Sequence, residues 1–403
     1  MDIKRESVIV RNEESIDTGF KTRFMHGLGG KYRNVPVIFA LILIIAAFSI
    51  VEPTYLSARN INNLSIQIVN ITIGGLGLFM VILVGKIDLS IASMAVACTT
   101  IAATLNVIWG WNIVISVAIA LLSGCFFGCM HGLIITKTKM PAFIVTLAAS
   151  MIYNGLILLI LPTTMQISIS GTPIEVITAF FLPPVWSYLI VVIFACIIFL
   201  LSFQRFWQAK RYNPECSLFK MAIMPFIITV AICSFMVFVF NLHRGLNLAV
   251  LIMFVLIAAI HYLLTQTKLG VHMYAIGGNE DAVRRTGINV DKRIIINFMI
   301  AGSIFAFNGL VLASRVRSVS AESVSPDLMG NAVAAAVLGG ASLRGGVGRP
   351  VGVLIGGLII GSMINGLHLI GASQAVRSIA IGTIVIIAIF FDSVIIKLSK
   401  ADR

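Results

Sequence analysis

KLGVHMYAIGGNEDAVRRTGINVDKR, residues 268–293, is the longest wet segment between two greasy ones, and the rest of the chain is read outward from it. Asn279 suits an N-cap, Glu280 and Asp281 fall in a first turn where the helix dipole favours anions, and Arg284 and Arg285 follow four residues later. Gly287 stands where such a helix would close. The pattern predicts a short amphipathic helix over 279–286. So short a helix is not stable alone in water, so the flanking spans, or another protein, must hold it. The plainer reading is a solvated, charged connection.

What flanks this segment fixes the class. Hydrophobic residues make up 59% of the chain and charged ones 11%, and the mean hydropathy is +1.02. No soluble domain of this size carries such a composition, so the chain is a polytopic membrane protein with no room for a soluble catalytic domain. A span takes about 20 apolar residues, so the apolar runs accommodate an all-α transmembrane bundle of about 10–12 helices. Spans are expected near 35–51, 64–84, 89–106, 112–136, 141–161, 185–203, 221–240, 247–264, 293–313, a short 330–343, 351–370 and 378–396.

The net charge of +13 raises the question of nucleic acid, and the placement of the basic residues answers it. With the N-terminus inside, every Lys and Arg falls on the cytoplasmic side except Arg59, Arg244, Arg315, Arg317 and Arg377. That is the positive-inside bias of a membrane protein, so no nucleic-acid partner is expected. Residues 1–34 then form a cytoplasmic N-terminal segment, 35–396 the transmembrane domain and 397–403 a cytoplasmic tail. No apolar stretch precedes a small-residue cleavage site, so 35–51 reads as a retained first span. The six cysteines show no CxxC pair and indicate neither a disulfide framework nor a metal site.

Three stretches interrupt the apolar pattern. In VGKIDLSIAS, residues 84–93, Lys86 and Asp88 break roughly forty apolar residues. They mark either a tight turn, with Asp88 capping the next helix, or a broken segment lining a polar pathway. Gly124, Gly128 and Gly132 form a small-residue ridge for close helix packing. His131 beside it reads as hydrogen-bonded structure more readily than as a proton relay. Residues 162–184, with Glu175 their only charge, form the longest external segment and offer a docking surface.

The most glycine-dense stretch is GNAVAAAVLGGASLRGGVGRP, residues 330–350. Its apolar part is too short for a full span and reads as a re-entrant or half-length helix ending in a glycine turn. It has neither the lysine of a phosphate loop nor the strand and acid of a dinucleotide site.

Taken together, Ile87-Asp88-Leu89-Ser90, then Tyr274-Ala275-Ile276-Gly277-Gly278-Asn279 with Ala282 and Gly287, and then Val337-Leu338-Gly339-Gly340-Ala341-Ser342-Leu343 with Gly345-Gly346-Val347-Gly348, resemble the ribose/xylose branch of the ABC-importer permeases. The similarity extends over roughly residues 50–396, and the long 185–265 section is closer to the xylose type. The resemblance implies a multi-pass permease of the bacterial cytoplasmic membrane that takes a monosaccharide, most closely a pentose, from an extracytoplasmic binding protein. It would work as a homodimer or paired with a second permease, by alternating access driven by separate ATP-binding subunits. ATP and Mg belong to those subunits, and no cofactor is expected on this chain.

In that family the segment like Tyr274–Asn279 couples to the ATPase. Carried over, Gly277, Gly278, Asn279, Glu280, Ala282 and Gly287 become coupling positions, with Asp281 and Arg284 on the same short helix counted with them. Asp88, Ser90, Asn331, Gly339 and Gly340 are assigned to the translocation pathway. An ion-coupled secondary transporter is the rival reading. It would want several acids in mid-span, and here only Asp88 and Asp392 adjoin apolar spans.

Overall fold

The computed structural model describes residues 35–210 and 217–401. Segment 1–34, Cys216 and the last two residues of the 397–403 tail lie outside the described residues. The helices are α1 (Val35–Val51), α2 (Ala58–Leu83), α3 (Ile91–Ala103), α4 (Ile113–Thr138), α5 (Ala142–Ile160), α6 (Val176–Ala179), α7 (Pro184–Lys210) and α8 (Met224–Asn241). They continue with α9 (Leu248–Gln266), α10 (Lys268–Gly278), α11 (Glu280–Arg285), α12 (Val290–Val316), α13 (Pro326–Leu338), α14 (Pro350–Leu369) and α15 (Gln374–Ala401). Among the described residues nine helices are long and apolar enough to cross a membrane. Two shorter apolar stretches, Val37–Val51 and Gln374–Ile387, lie in α1 and α15. With the 13-residue α13, this is the all-α polytopic bundle that the composition implies.

The bundle is organised around α2, 94% of whose apolar window is buried, against 11% for Met221–Asn241, the span that contains α8. Lipid is as apolar as leucine, so helices associate here through close packing, and small residues set the closest approaches. A Cβ on Gly75 would stand 2.9 Å from Val353 and 3.1 Å from Ala335, which bring α14 and α13 against α2. The expected ridge on α4 packs on α12: a Cβ on Gly124, Gly128 or Gly132 would run into the backbone of Gly302, Phe298 or Ile295.

Helices α7 and α8 lean on each other through rings, with Phe199 and Phe226 edge-on at 5.4 Å. Between the expected spans 185–203 and 221–240 the sequence leaves a solvated connection over 204–220; residues 204–210 instead continue α7, and residues 211–216 lie outside the described residues. The last residue of α7, Lys210, places its ammonium 5.6 Å from the Phe206 ring centre.

Helix α13 is the expected half-length segment, shifted toward the N-terminus. Ser325 caps it by accepting from the Asp327 amide, and Pro326 occupies its first position, where a missing N–H is harmless. At about 1.5 Å per residue it falls well short of a bilayer core. It ends at Leu338, and the chain then turns through Gly340, Gly345, Gly346 and Gly348, all at positive φ.

By alternation of the helices, one end of the bundle carries residues 84–90, 139–141, 267–289 and 339–349. The opposite end carries residues 161–183, which are more ordered than their polar sequence suggests. There β1 (Gln166–Ser168) pairs antiparallel with β4 (Ser318–Ser320), and β2 (Phe181–Leu182) with β3 (Leu246–Asn247). Glu175, the only charge of that segment, is held by Arg317 at 2.8 Å and accepts from the Gly171 amide.

Candidate coupling site

The segment 268–289 folds as two helices where the pattern predicts one. Thr267 caps α10 by accepting from the Gly270 amide, and Met273 and Ile276 face inward. The sequence pattern does not show this helix, because three glycines interrupt its eleven residues. Two of them are close-approach positions, for a Cβ on Gly270 would meet the backbone of Leu264, and one on Gly277 the carbonyl of Leu83 and the amide of Gly346. The Gly346 amide donates to the Leu83 carbonyl at 2.9 Å, and the Tyr274 hydroxyl donates to the Gly348 carbonyl at 2.8 Å. The ends of α2 and α10 and the glycine turn after α13 thus meet backbone to backbone.

Asn279, with extended backbone, ends α10 and begins α11, its side chain accepting from the Ala282 amide at 2.9 Å. Glu280 and Asp281 occupy the first turn, Arg284 and Arg285 the last, and Gly287 closes the segment at φ 83. Caps and charges are where the sequence puts them, over six residues in place of eight. Only Val283 of α11 is buried. Gly278, Asn279, Asp281, Ala282, Arg284, Arg285 and Gly287 are exposed, and Glu280 is half-buried. Gly278 has open space around it whereas Gly277 faces the protein, so these neighbouring glycines serve different ends.

Charge pairs tie α11 back to the bundle. Glu280 meets Lys86 Nζ and Arg284, each at 3.0 Å. Arg284 also meets Asp291 at 2.8 Å, and Asp291 meets Lys139 at 3.4 Å. Burial pushes the Glu280 carboxyl upward, but the hydrogen bonds and charges of Lys86 and Arg284 outweigh it and hold the group below its ordinary value. The partner of Lys86 was not foreseen. The signal was present, since a lysine at the edge of an apolar span needs a counter-charge.

Of the five residues assigned to the pathway, Asp88 and Ser90 are one unit. Asp88 is not a helix cap: α3 begins only at Ile91, and the carboxylate folds over its own turn, accepting from the Ser90 amide at 2.7 Å and the Ser90 hydroxyl at 2.6 Å. Asp88 is 1% exposed, and its second oxygen lies 3.5 Å from His131 Nδ1. His131 Nε2 in turn contacts the Tyr153 hydroxyl at 2.8 Å, the hydrogen-bonded role expected of that histidine. The Leu89 amide donates to Thr146 Oγ1 at 3.0 Å, which binds the same turn to α5.

The other three lie on or after α13. Gly339 packs against the Gly352 backbone, and Gly340 turns the chain at φ 86. Asn331 is half-buried, with its side-chain oxygen unpartnered. Among the described residues no group of three or more His, Cys, Asp or Glu is placed to hold a metal ion.

Comparison with known proteins gives the family. Residues 60–389 match the model of the family described as the branched-chain amino acid transport system / permease component, and the chain belongs to that family of transport permeases. It is 34% identical over 360 residues to the xylose transport system permease protein XylH of Haemophilus influenzae, covering 89% of this chain and 95% of the relative. To XylH of Escherichia coli K12 it is 30% identical over 374 residues, with 91% and 93% covered. To the ribose import permease protein RbsC of Haemophilus influenzae it is 30% identical over 355 residues, with 88% and 91% covered. No solved structure matches the chain.

Proposed function

We propose that this chain is the permease of an ATP-driven importer that moves a pentose of the xylose kind across the bacterial cytoplasmic membrane. The family description names branched-chain amino acids, but the relatives quoted are xylose and ribose permeases matched along nearly their whole length, and sugar is the reading they support. The chain works with separate ATP-binding subunits, an extracytoplasmic binding protein and a second permease copy, as a homodimer. ATP and Mg bind to the partner. Both termini and the 268–293 loop lie on the cytoplasmic side, in keeping with the basic residues.

The observation that carries this reading is α11 itself: a capped, charged helix outside the apolar bundle, offering Gly278, Asn279, Asp281, Ala282 and Gly287 outward while Gly277, Glu280 and Arg284 join it to the spans. Such a surface receives a push and passes it to rigid helices. The half-length α13, with Asn331, Gly339 and Gly340, and the broken segment at Asp88 and Ser90 are the pathway elements that respond.

The test is uptake of D-xylose into proteoliposomes holding the permease and its ATPase subunit, with binding protein outside and ATP inside. Uptake by the permease should require the ATPase subunit, the binding protein and ATP. Uptake by the permease alone, driven by a proton or sodium gradient, would establish the ion-coupled carrier instead.

A further inference from the structure

The charged groups around α11 form one continuous chain of alternating sign, and most of its members lie on other elements. It runs from Lys139, between α4 and α5, through Asp291 in the first turn of α12, to Arg284 and Glu280 on α11, and ends at Lys86, between α2 and α3. A lone exposed ion pair contributes little. This one is shared, and its inner end is shielded, with the Lys86 and Glu280 side chains 25% and 33% exposed. Helix α11 buries one side chain of its own and is too short to stand unaided. The pair with Lys86 therefore decides what α11 is attached to.

The far side of that attachment is firm. The α2–α3 connection is closed by the Gly85 amide on the Ile82 carbonyl at 2.8 Å. Asp88 and Leu89 then bind it to Ser90, His131 and Thr146. Displacing Lys86 displaces a connection already fastened to α4 and α5.

We propose that Lys86 is a positioning residue of the transport reaction: its ion pair with Glu280 makes the α2–α3 connection move with α11, so that motion of α11 reaches α4 and α5 through Asp88 and Leu89. This rests on the ATP-driven reading above, and its test separates the two. In the complete complex with the ATPase subunit and D-xylose-loaded binding protein, Lys86→Met, Glu280→Gln, the double variant and Lys86→Arg are compared for uptake, stimulated ATP hydrolysis and subunit retention. Asp281→Cys cross-linking to the ATPase subunit is measured in parallel.

Lys86→Met should retain the ATPase subunit yet lose about five-fold or more in stimulated uptake, the size of ordinary coupling between sites. Lys86→Arg, which keeps the charge, should restore it. The double variant should be no worse than Lys86→Met, because the pair acts as a unit. Wild-type uptake by Lys86→Met, losses that multiply in the double variant, or loss of the subunit from Lys86→Met would each overturn the proposal while the Asp281 cross-link still forms in the permease that keeps Lys86. Absence of the cross-link would overturn the ATP-driven reading, and this proposal with it.

Discussion

Replacing Gly128 with leucine tests the packing of α4 on α12 at its tightest point. An ideal Cβ there would meet the Phe298 carbonyl and come within 3.0 Å of Met299 Cα. These are backbone atoms of a buried helix, so no rotamer change relieves the clash. The helices must separate instead, and the same separation opens the contacts at Gly124, Gly132 and Gly302. Overpacking a well-filled interior costs about 1–3 kcal/mol, and a backbone clash belongs at the upper end, about 3 kcal/mol.

Gly155 supplies the control, because a Cβ there meets nothing within 4 Å. Gly155→Leu should be neutral, or stabilising by up to about 1 kcal/mol, since glycine in a helix interior is itself unfavourable. Heat challenge of each variant in detergent, followed by size exclusion, reads the difference. Gly128→Leu should melt several degrees below the unaltered protein and lose uptake in parallel. If it melts like the unaltered protein and loses only uptake, Gly128 lines the pathway and the packing argument is wrong.

Topology is open to impermeant thiol labelling in a cysteine-free background. Cysteine at the exposed Ser170 should label from outside and cysteine at Asp281 only after permeabilisation, and labelling of position 281 in intact cells would invert the orientation. The Asp88 network predicts that Asp88→Ala, which leaves buried donors of Ser90 without an acceptor, destabilises the protein by about 1–3 kcal/mol. Asp88→Asn, which keeps an acceptor oxygen, should be milder, and equal melting of both with the unaltered protein would dissolve the network. The depressed Glu280 carboxyl contributes stability above the ordinary value of 4.5, lost as pH falls through its lowered folded value. Exchange protection of the Val283 amide, bonded to the Asn279 carbonyl in α11, should therefore hold from about pH 8 to pH 5 and fall only below 4.5; a fall near pH 6 would contradict the assignment.

Much of this architecture is legible in the sequence because the membrane imposes it. The spans declare themselves by apolar length, the half-length α13 by its shortness, and the ridge at Gly124, Gly128 and Gly132 by its four-residue spacing. Helix α11 was readable to within a residue because Asn279 and Gly287 are local cap signals. What the sequence withheld depends on distant partners. Gly277 and Gly278 look alike in the chain, yet one lies against Leu83 and Gly346 and the other faces open space. Lys86 and Glu280, nearly two hundred positions apart, have no sequence pattern to join them. By its place before α3, Asp88 suits either a helix cap or a polar break, and its burial beside His131 is not legible from there. Glycine is ambiguous in the same way: it starts loops, ends helices and permits close contact, so Gly270, Gly277 and Gly278 hide the helix signal of α10.

The most direct measurement is a cross-link from α11 to the ATPase subunit. Asp281 is exposed, in the first turn of α11 and outside the charge chain. Cysteine at this position in an otherwise cysteine-free permease should cross-link to the ATPase subunit in the assembled complex, and binding of that subunit should protect it from thiol reagents. A cysteine at 281 that labels equally with and without the subunit, and never cross-links while the complex transports D-xylose normally, would reduce α11 to a solvated connection.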